Sequence, residues 1–557
     1  MDQLHVAATF DNVNLTRSLI TRGADVNTRS QDGSTPLHFA SSMGHHRIVR
    51  MLIDHGALVD ARENEQFTAL HHAAENGHHE VASVLIDRGA DVNASGVAKS
   101  TPLHLSSAEG HEKVTRLLLN RGASVDAGDE RQQTALHAAS LYGHHSVART
   151  LLDEGAQVDA RCEQFTALHM VSAKGYQDVA LLLIDRGASV DAMTGNKFTP
   201  LHIASQAGHQ SIVLILLDRG AQVDGRNDEQ QTPLHLASCK GHHEVIVLLI
   251  KRGASVDARD DQEFTPLHFA SQCGLRHVVH TLLDRGAQVD ARTNTLKTPL
   301  HLAAAVGHRE VALLLIERGA SVEAREDEQL TPLHLASLSG HQHVVRMLLD
   351  RGAQVDARDE KERTPLHLAS RCNEHQDVIA LLIDHGASVD AKDNRQHTAL
   401  HQASFLGHQN VVLTLLDRGA QVDPRDDDQR TPLHLAIAYG LPKLAVLLVD
   451  RGASVEARDF WERTPLQLAS DKGLKDLRLL LAIRASARDA KPSTTVQRFS
   501  QTVHELKDKN RTAGAEDIQP ATLPSTNQQR NQDVTFVQTD LDVTVKYLLD
   551  YMKKRKR

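Results

Sequence analysis

Aromatic side chains are scarce in this chain of 557 residues: Phe, Tyr and Trp together make up 3%, with a single Trp. A compact enzyme of this length buries many such rings, so one large aromatic-rich core is excluded. Four cysteines cannot build a disulfide framework, and they favour a reducing compartment. No apolar run approaches the ~20 residues of a membrane-spanning helix. The opening MDQLHVAATFDNVN has no basic region followed by an apolar stretch, so no secretory signal is read there. Phosphate-cradling glycine loops, a Gly-x-Ser-x-Gly elbow and a His-Glu-x-x-His helix are all missing. His79-Glu80 comes close to the last of these, but Val81, Ala82 and Ser83 follow and the second metal ligand is absent. The run Asp426-Asp427-Asp428 lacks the glycine and spacing of a calcium loop. No enzyme, metal or cofactor is expected.

What the chain has instead is repetition. The string Thr-[Pro/Ala]-Leu-[His/Gln] occurs fourteen times, and eleven of the thirteen spacings between successive copies are 33 residues. Of the other two, one is 32 and one is 34. Residues from Asp2 fit a degenerate first unit, with Leu4-His5 in the Leu-His columns, which makes about fifteen units over residues 1–488. The unit at 298–330 shows the local logic. Thr298 is placed to cap a helix and Pro299 sits at its first position, where a missing N–H is harmless. Leu300, Ala303 and Ala304 form an apolar stripe. Gly307 ends that helix, a second carries Val311, Leu314 and Leu315, and Gly319 ends it. Residues 320–330, ASVEAREDEQL, then suit a hairpin-like connection. Of 15 prolines, 10 follow the motif Thr, and 27 of 33 glycines stand at these helix ends. Thirty-three residues bury too little to fold alone, so the units must stack.

This period and pattern resemble the ankyrin repeat. TPLHLA at 331–336 followed by GHQHVVRMLLDRGAQVDARD at 340–359 is similar to nearly the whole family pattern, and fourteen copies stand in register. The resemblance implies an all-α repeat solenoid: a stack of helix-turn-helix units joined by β-hairpin-like loops, with a concave face lined by first helices and hairpin tips. The expected organisation is an N-terminal capping repeat at 1–34, thirteen tandem repeats at 35–463 and a C-terminal capping repeat at 464–489. Residues 490–533, rich in Ser, Thr, Gln, Asn and Pro, read as a polar linker. Residues 534–557 read as a short amphipathic helix with a basic tail. In the final repeat Gln467 replaces His and Arg484 stands in the Gly column, as suits a cap.

The 36 histidines invite a catalytic or metal reading, and their columns oppose it. Fourteen occupy the Leu-His column, from His5 to His434, and nine follow the Gly between helices. The resemblance implies structural hydrogen bonding within and between units. Cys239 and Cys273 lie in adjacent units but different columns, and units ~10 Å apart would hold them beyond disulfide reach. After the second-helix Gly-Ala, Ser and Gln alternate strictly from Ser124 to Ser454. Duplication in two-unit blocks accounts for that.

Recognition of a partner protein is therefore the expected role, as an adaptor or scaffold. Two variable columns are candidates. The residue before the motif Thr includes Phe67, Phe165, Phe198, Phe264 and Leu330, then turns mostly basic through Arg363, His397, Arg430 and Arg463. The pair before the inter-helix Gly includes Tyr142, Phe405 and Tyr439. These side chains either anchor a partner or lie flat on the hairpins as packing. Phe460-Trp461, at the last hairpin tip, either does the same or covers the end of the stack. The terminal cluster Lys553, Lys554, Arg555, Lys556 and Arg557 is a candidate nuclear import signal, a solvated helix terminus or an anionic membrane contact. Residues 490–557 carry a net +4, leaving −13 on residues 1–489, so nucleic acid is not expected on the repeats. A monomeric cytoplasmic protein is expected. The alternatives are a nuclear regulator imported through the basic cluster, and a substrate-recruiting subunit of a multi-chain enzyme such as a ubiquitin ligase.

Overall fold

The computed structural model describes residues 2–474, 477–478 and 481–482, all within the unit Met1–Ala482. The linker, the 534–557 segment, Arg484 and the cluster Lys553–Arg557 lie outside the described residues. Within them are 29 α-helices of five to nine residues, one 3-10 turn at Val97–Lys99 and no β-strand. The helices come in antiparallel pairs, such as Pro299–Val306 with Arg309–Glu317. First helices pack on the first helices of neighbouring units, second helices on second helices, and the two of a pair on each other. The core is therefore a continuous seam between two helix layers. Leu37, Ala40, Ile48, Val49 and Leu52 are wholly buried in it, and their counterparts recur one period later.

Each unit starts by one device. Thr232 is the N-cap of Pro233–Lys240, with extended backbone, and the ring of His235 folds back over it. His235 Nδ1 accepts the Thr232 backbone N–H at 3.0 Å. Nε2 is then the protonated nitrogen, and it donates to the Phe264 carbonyl of the next unit at 3.1 Å. One neutral ring thus closes a helix cap and ties two units together. Every histidine of the column does the same toward the residue before the next motif Thr, except His137. His137 reaches Ala160 instead, because the next motif Thr follows after 32 residues rather than 33.

The inter-helix histidines run the other way. His78 Nε2 donates to the Ser42 carbonyl of the preceding unit at 2.9 Å, and His111, His144, His209 and His242 repeat the bond. These rings lie against the previous unit's glycine. A Cβ at Gly208, whose φ is +80°, would come within 2.5 Å of His242. Glycine is required there for its backbone and for the ring that covers it.

The connections are tight turns rather than ladders, and the isolated bridge is Cys162 with Phe165. In one of them the Asp260 N–H donates to the Phe264 carbonyl and the Glu263 N–H to Asp260. Glu263 takes the left-handed conformation, φ 61°, and so does the residue two before most other motif threonines. The Ser/Gln column is exposed except at half-buried Ser454, and its backbone N–H donates to an Asp, Glu or Asn side chain of the previous unit, as Gln288 does to Asp257 and Ser124 to Asn93. Its alternation therefore leaves the bond unchanged.

The unit at 364–397 departs most. Its first helix, Pro365–Ala369, has five residues. Asn373 is not left-handed, contrary to what its place near the Gly column predicts. With the helix already ended at Ser370, no glycine-like cap is needed.

Burial pushes His202, His235, His268, His301 and His334 down to about 4. In the unfolded chain such rings titrate near ~6.5, so between the two values the unfolded state binds more protons. Stability is fully present above about pH 6.5 and is lost as pH falls toward about 4. His235→Gln keeps a cap acceptor, as Gln467 does naturally for Thr464, but cannot span to the next unit in the same way. It should lower stability at pH 7 by about 1–3 kcal/mol and shrink the loss between pH 7 and 5, read from urea unfolding at both values.

Candidate protein-interaction face

The residue before each motif Thr gives its carbonyl to the preceding unit's histidine, except Phe165, whose carbonyl accepts from the Cys162 N–H, so its backbone is fixed while its side chain varies. In the first part of the stack that side chain is often an aromatic laid against its own unit's histidine. Phe67 lies 5.1 Å from His71, Phe165 6.0 Å from His169, Phe198 5.7 Å from His202 and Phe264 5.4 Å from His268, centroid to centroid. Phe67 and Leu330 are each 8% exposed and offer a partner little area. Phe165, Phe198, Phe264 and Tyr142 are half-buried.

The basic part is not a bare positive patch. Arg363 Nε donates to Asp359 Oδ2 at 2.7 Å, and Arg430 and Arg463 do the same to Asp426 and Asp459. These carboxylates have 0–1% side-chain exposure. Each also caps its own turn, as Asp359 does by accepting from the Lys361 and Arg363 N–H groups. His397 stands between Asp393 and Asp426, 4.0 and 3.4 Å away. Burial alone would raise Asp426, but hydrogen bonds from His397 and Arg430 outweigh it and hold the carboxyl down at about 2. Asp260, whose fourth residue on is Phe264, has no such cation, and burial pushes it up to about 6. The acidic half of each pair was missed in the sequence, although its spacing of four residues before each basic residue was there to see.

Exposed apolar side chains gather at the ends of first helices, in the last turn or at the C-cap. Phe10 is 77% exposed, Met43 49%, Val306 43%, Phe405 39%, Leu406 38% and Tyr439 56%. Phe405 and Tyr439 meet edge to face across two units, 4.4 Å between centroids. They are 34 residues apart, one more than the period, and the same diagonal joins Asn76 to Ser42. It also overturns the reading of the cysteines: Cys239 and Cys273 Sγ atoms lie 3.7 Å apart. Different columns bring them together, because the last turn of one first helix faces the following position of the next. Phe460 and Trp461 are 68% and 55% exposed and pack edge to face, with the Arg463 guanidinium 4.9 Å over the indole.

A family model described as Ankyrin repeats (3 copies) matches residues 4–96, 94–162, 157–227, 222–293, 290–359 and 354–426. A second, Ankyrin repeats (many copies), matches 415–469. This chain belongs to the ankyrin-repeat family. Comparison with curated proteins gives no match. Ankyrin repeats are generally protein–protein interaction modules, and the ankyrin stack here presents part of its exposed apolar surface at the ends of first helices and part, as at Leu58, Met193 and Leu296, in the connections. No helix among the described residues is long and apolar enough to cross a membrane.

Arg363→Leu should strand the buried Asp359 carboxylate. The expected outcome is a loss of about 2 kcal/mol at pH 7, read by urea unfolding against the unchanged chain.

Proposed function

We propose that this chain is a non-enzymatic adaptor or scaffold that holds a partner protein on the face of its first helices and hairpin tips, the face expected to be concave. The supporting observation is the surface cluster of Phe405, Leu406 and Tyr439 in the last turns of neighbouring first helices. Framework contacts do not account for exposed aromatics at these positions, since Ser, Ala and Gln fill the same columns elsewhere. Half-buried Tyr142, Phe165, Phe198 and Phe264 extend the face toward the N-terminal units, with Phe67 and Leu330 beneath it. Aromatic anchors surrounded by polar residues are the usual energetic centres of protein interfaces. The test is affinity capture from the native cell with mass spectrometry. Phe405→Ser with Tyr439→Ser should lose the partner at an unchanged melting temperature, whereas Leu214→Ser on a second helix should keep it. Equal capture by all forms would remove the reading. Replacing Phe67, Phe165, Phe198 and Phe264 by Ser assigns those rings: lost stability with retained capture makes them packing.

The terminal basic cluster Lys553–Arg557 favours a second reading, nuclear import of a regulatory protein. Fusing residues 534–557 to a fluorescent reporter should then give nuclear accumulation, and a diffuse signal would count against it. A ligase-recruiting role requires that capture bring down a ligase component together with the substrate.

A further inference from the structure

Cys239 is the penultimate residue of the first helix Pro233–Lys240 of one unit, and Cys273 is the C-cap of Pro266–Gln272 of the next. Their sulfurs are 3.7 Å apart, with Cys239 half-buried and Cys273 exposed. The contact follows from the 34-residue diagonal, which the fold fixes independently at Ser42–Asn76 and Phe405–Tyr439. No other pair of cysteines shares it: Cys162 is buried in a hairpin and Cys372 lies in the irregular unit.

We infer that Cys239 and Cys273 form a peroxide-oxidisable dithiol that closes to a disulfide between neighbouring repeats. A disulfide needs about 2.05 Å between sulfurs. Each side chain turns about a single χ1 at the open end of its helix, where solvent and a small oxidant reach it. The hydrogen bond from the Cys273 thiol pushes the Cys239 thiol down to about 7, against burial, with the Lys240 charge adding to it. The same bond and burial push Cys273 up. Cys239 is therefore the nucleophile and Cys273 the resolving thiol.

In the first step the Cys239 thiolate attacks one oxygen of hydrogen peroxide. The O–O bond breaks, leaving Cys239 as sulfenic acid and releasing hydroxide. In the second, that hydroxide takes the Cys273 proton, and the new thiolate attacks the Cys239 sulfur and expels hydroxide. The second hydroxide takes up the proton that Cys239 shed on becoming a thiolate, so two thiols give up two protons and two electrons, peroxide becomes two waters, and an S–S bond links the units. A cellular dithiol reductant reverses it. This inference is independent of the partner-binding reading.

The test treats the reduced full-length protein with a slight excess of hydrogen peroxide, titrates free thiols and maps peptides without reduction. Two of the four thiols should disappear, with the Cys239 and Cys273 peptides linked inside one chain and released by dithiothreitol. Cys273→Ser should stop at a sulfenic acid on Cys239 that dimedone traps. Cys239→Ser should slow peroxide consumption by roughly tenfold or more, because the thiolate is the attacking form. The double variant Cys162→Ser with Cys372→Ser, which leaves the diagonal intact, should still cross-link. Oxidation of Cys372 ahead of the pair, a cross-link formed only between chains, or retention of all four thiols would each overturn the inference.

Discussion

A neutral imidazole with two different nitrogens is what the stack depends on. One nitrogen must be bare to accept the cap N–H of its own unit, and the other must carry a proton to reach the hairpin carbonyl of the next. An imidazolium ring cannot accept at all, and an amide side chain does not span both partners in this geometry. Burial enforces the right state by making the charged form expensive. Cap formation and unit docking thereby become one event, which is how nearest-neighbour coupling in a linear array acquires a chemical basis. The second set of histidines, reaching back over glycine, couples the same units from the other side of the helix pair.

These bonds also divide framework from surface. The backbone of the residue before the motif Thr is committed to a histidine, and the backbone of the Ser/Gln position to an acidic side chain. Both side chains are released from structural duty by bonds that use only the main chain. In the later units the liberty is taken up by Arg and His, and the fold then supplies a buried Asp to balance each one. The result is a surface whose composition varies widely while its geometry holds.

Much of this was readable from the letters. The helix pairs, their caps and the two histidine columns follow from Thr-Pro, from Gly and from a 33-residue spacing, because capping and left-handed backbone are local demands that particular residues meet. What was not readable lies between columns. Cys239 with Cys273 and Phe405 with Tyr439 join positions one step out of phase, and a comparison made strictly column by column separates them. Asp359 and Arg363 went unpaired because the hairpins were read for the residue at the tip rather than for the turn beneath it. The burial of Phe67 beside half-exposed Phe198 depends on neighbouring side chains that no spacing rule encodes. At Asn373, a shortened helix removed the need that the residue's type had promised to meet.

Within runs of like units, such as those of His78, His111 and His144, the histidine bridges point forward from one column and backward from the other in the same way, a pattern broken where Tyr176, Leu275 and Leu441 replace the backward histidine. Excising a whole period would therefore let the flanking units shake hands with every bond remade, while excising a fraction would leave donors facing the wrong carbonyls. The quantity such a chain can change most freely over generations is its own length, counted in whole units, and the two-unit rhythm of Ser and Gln is the trace such copying would leave.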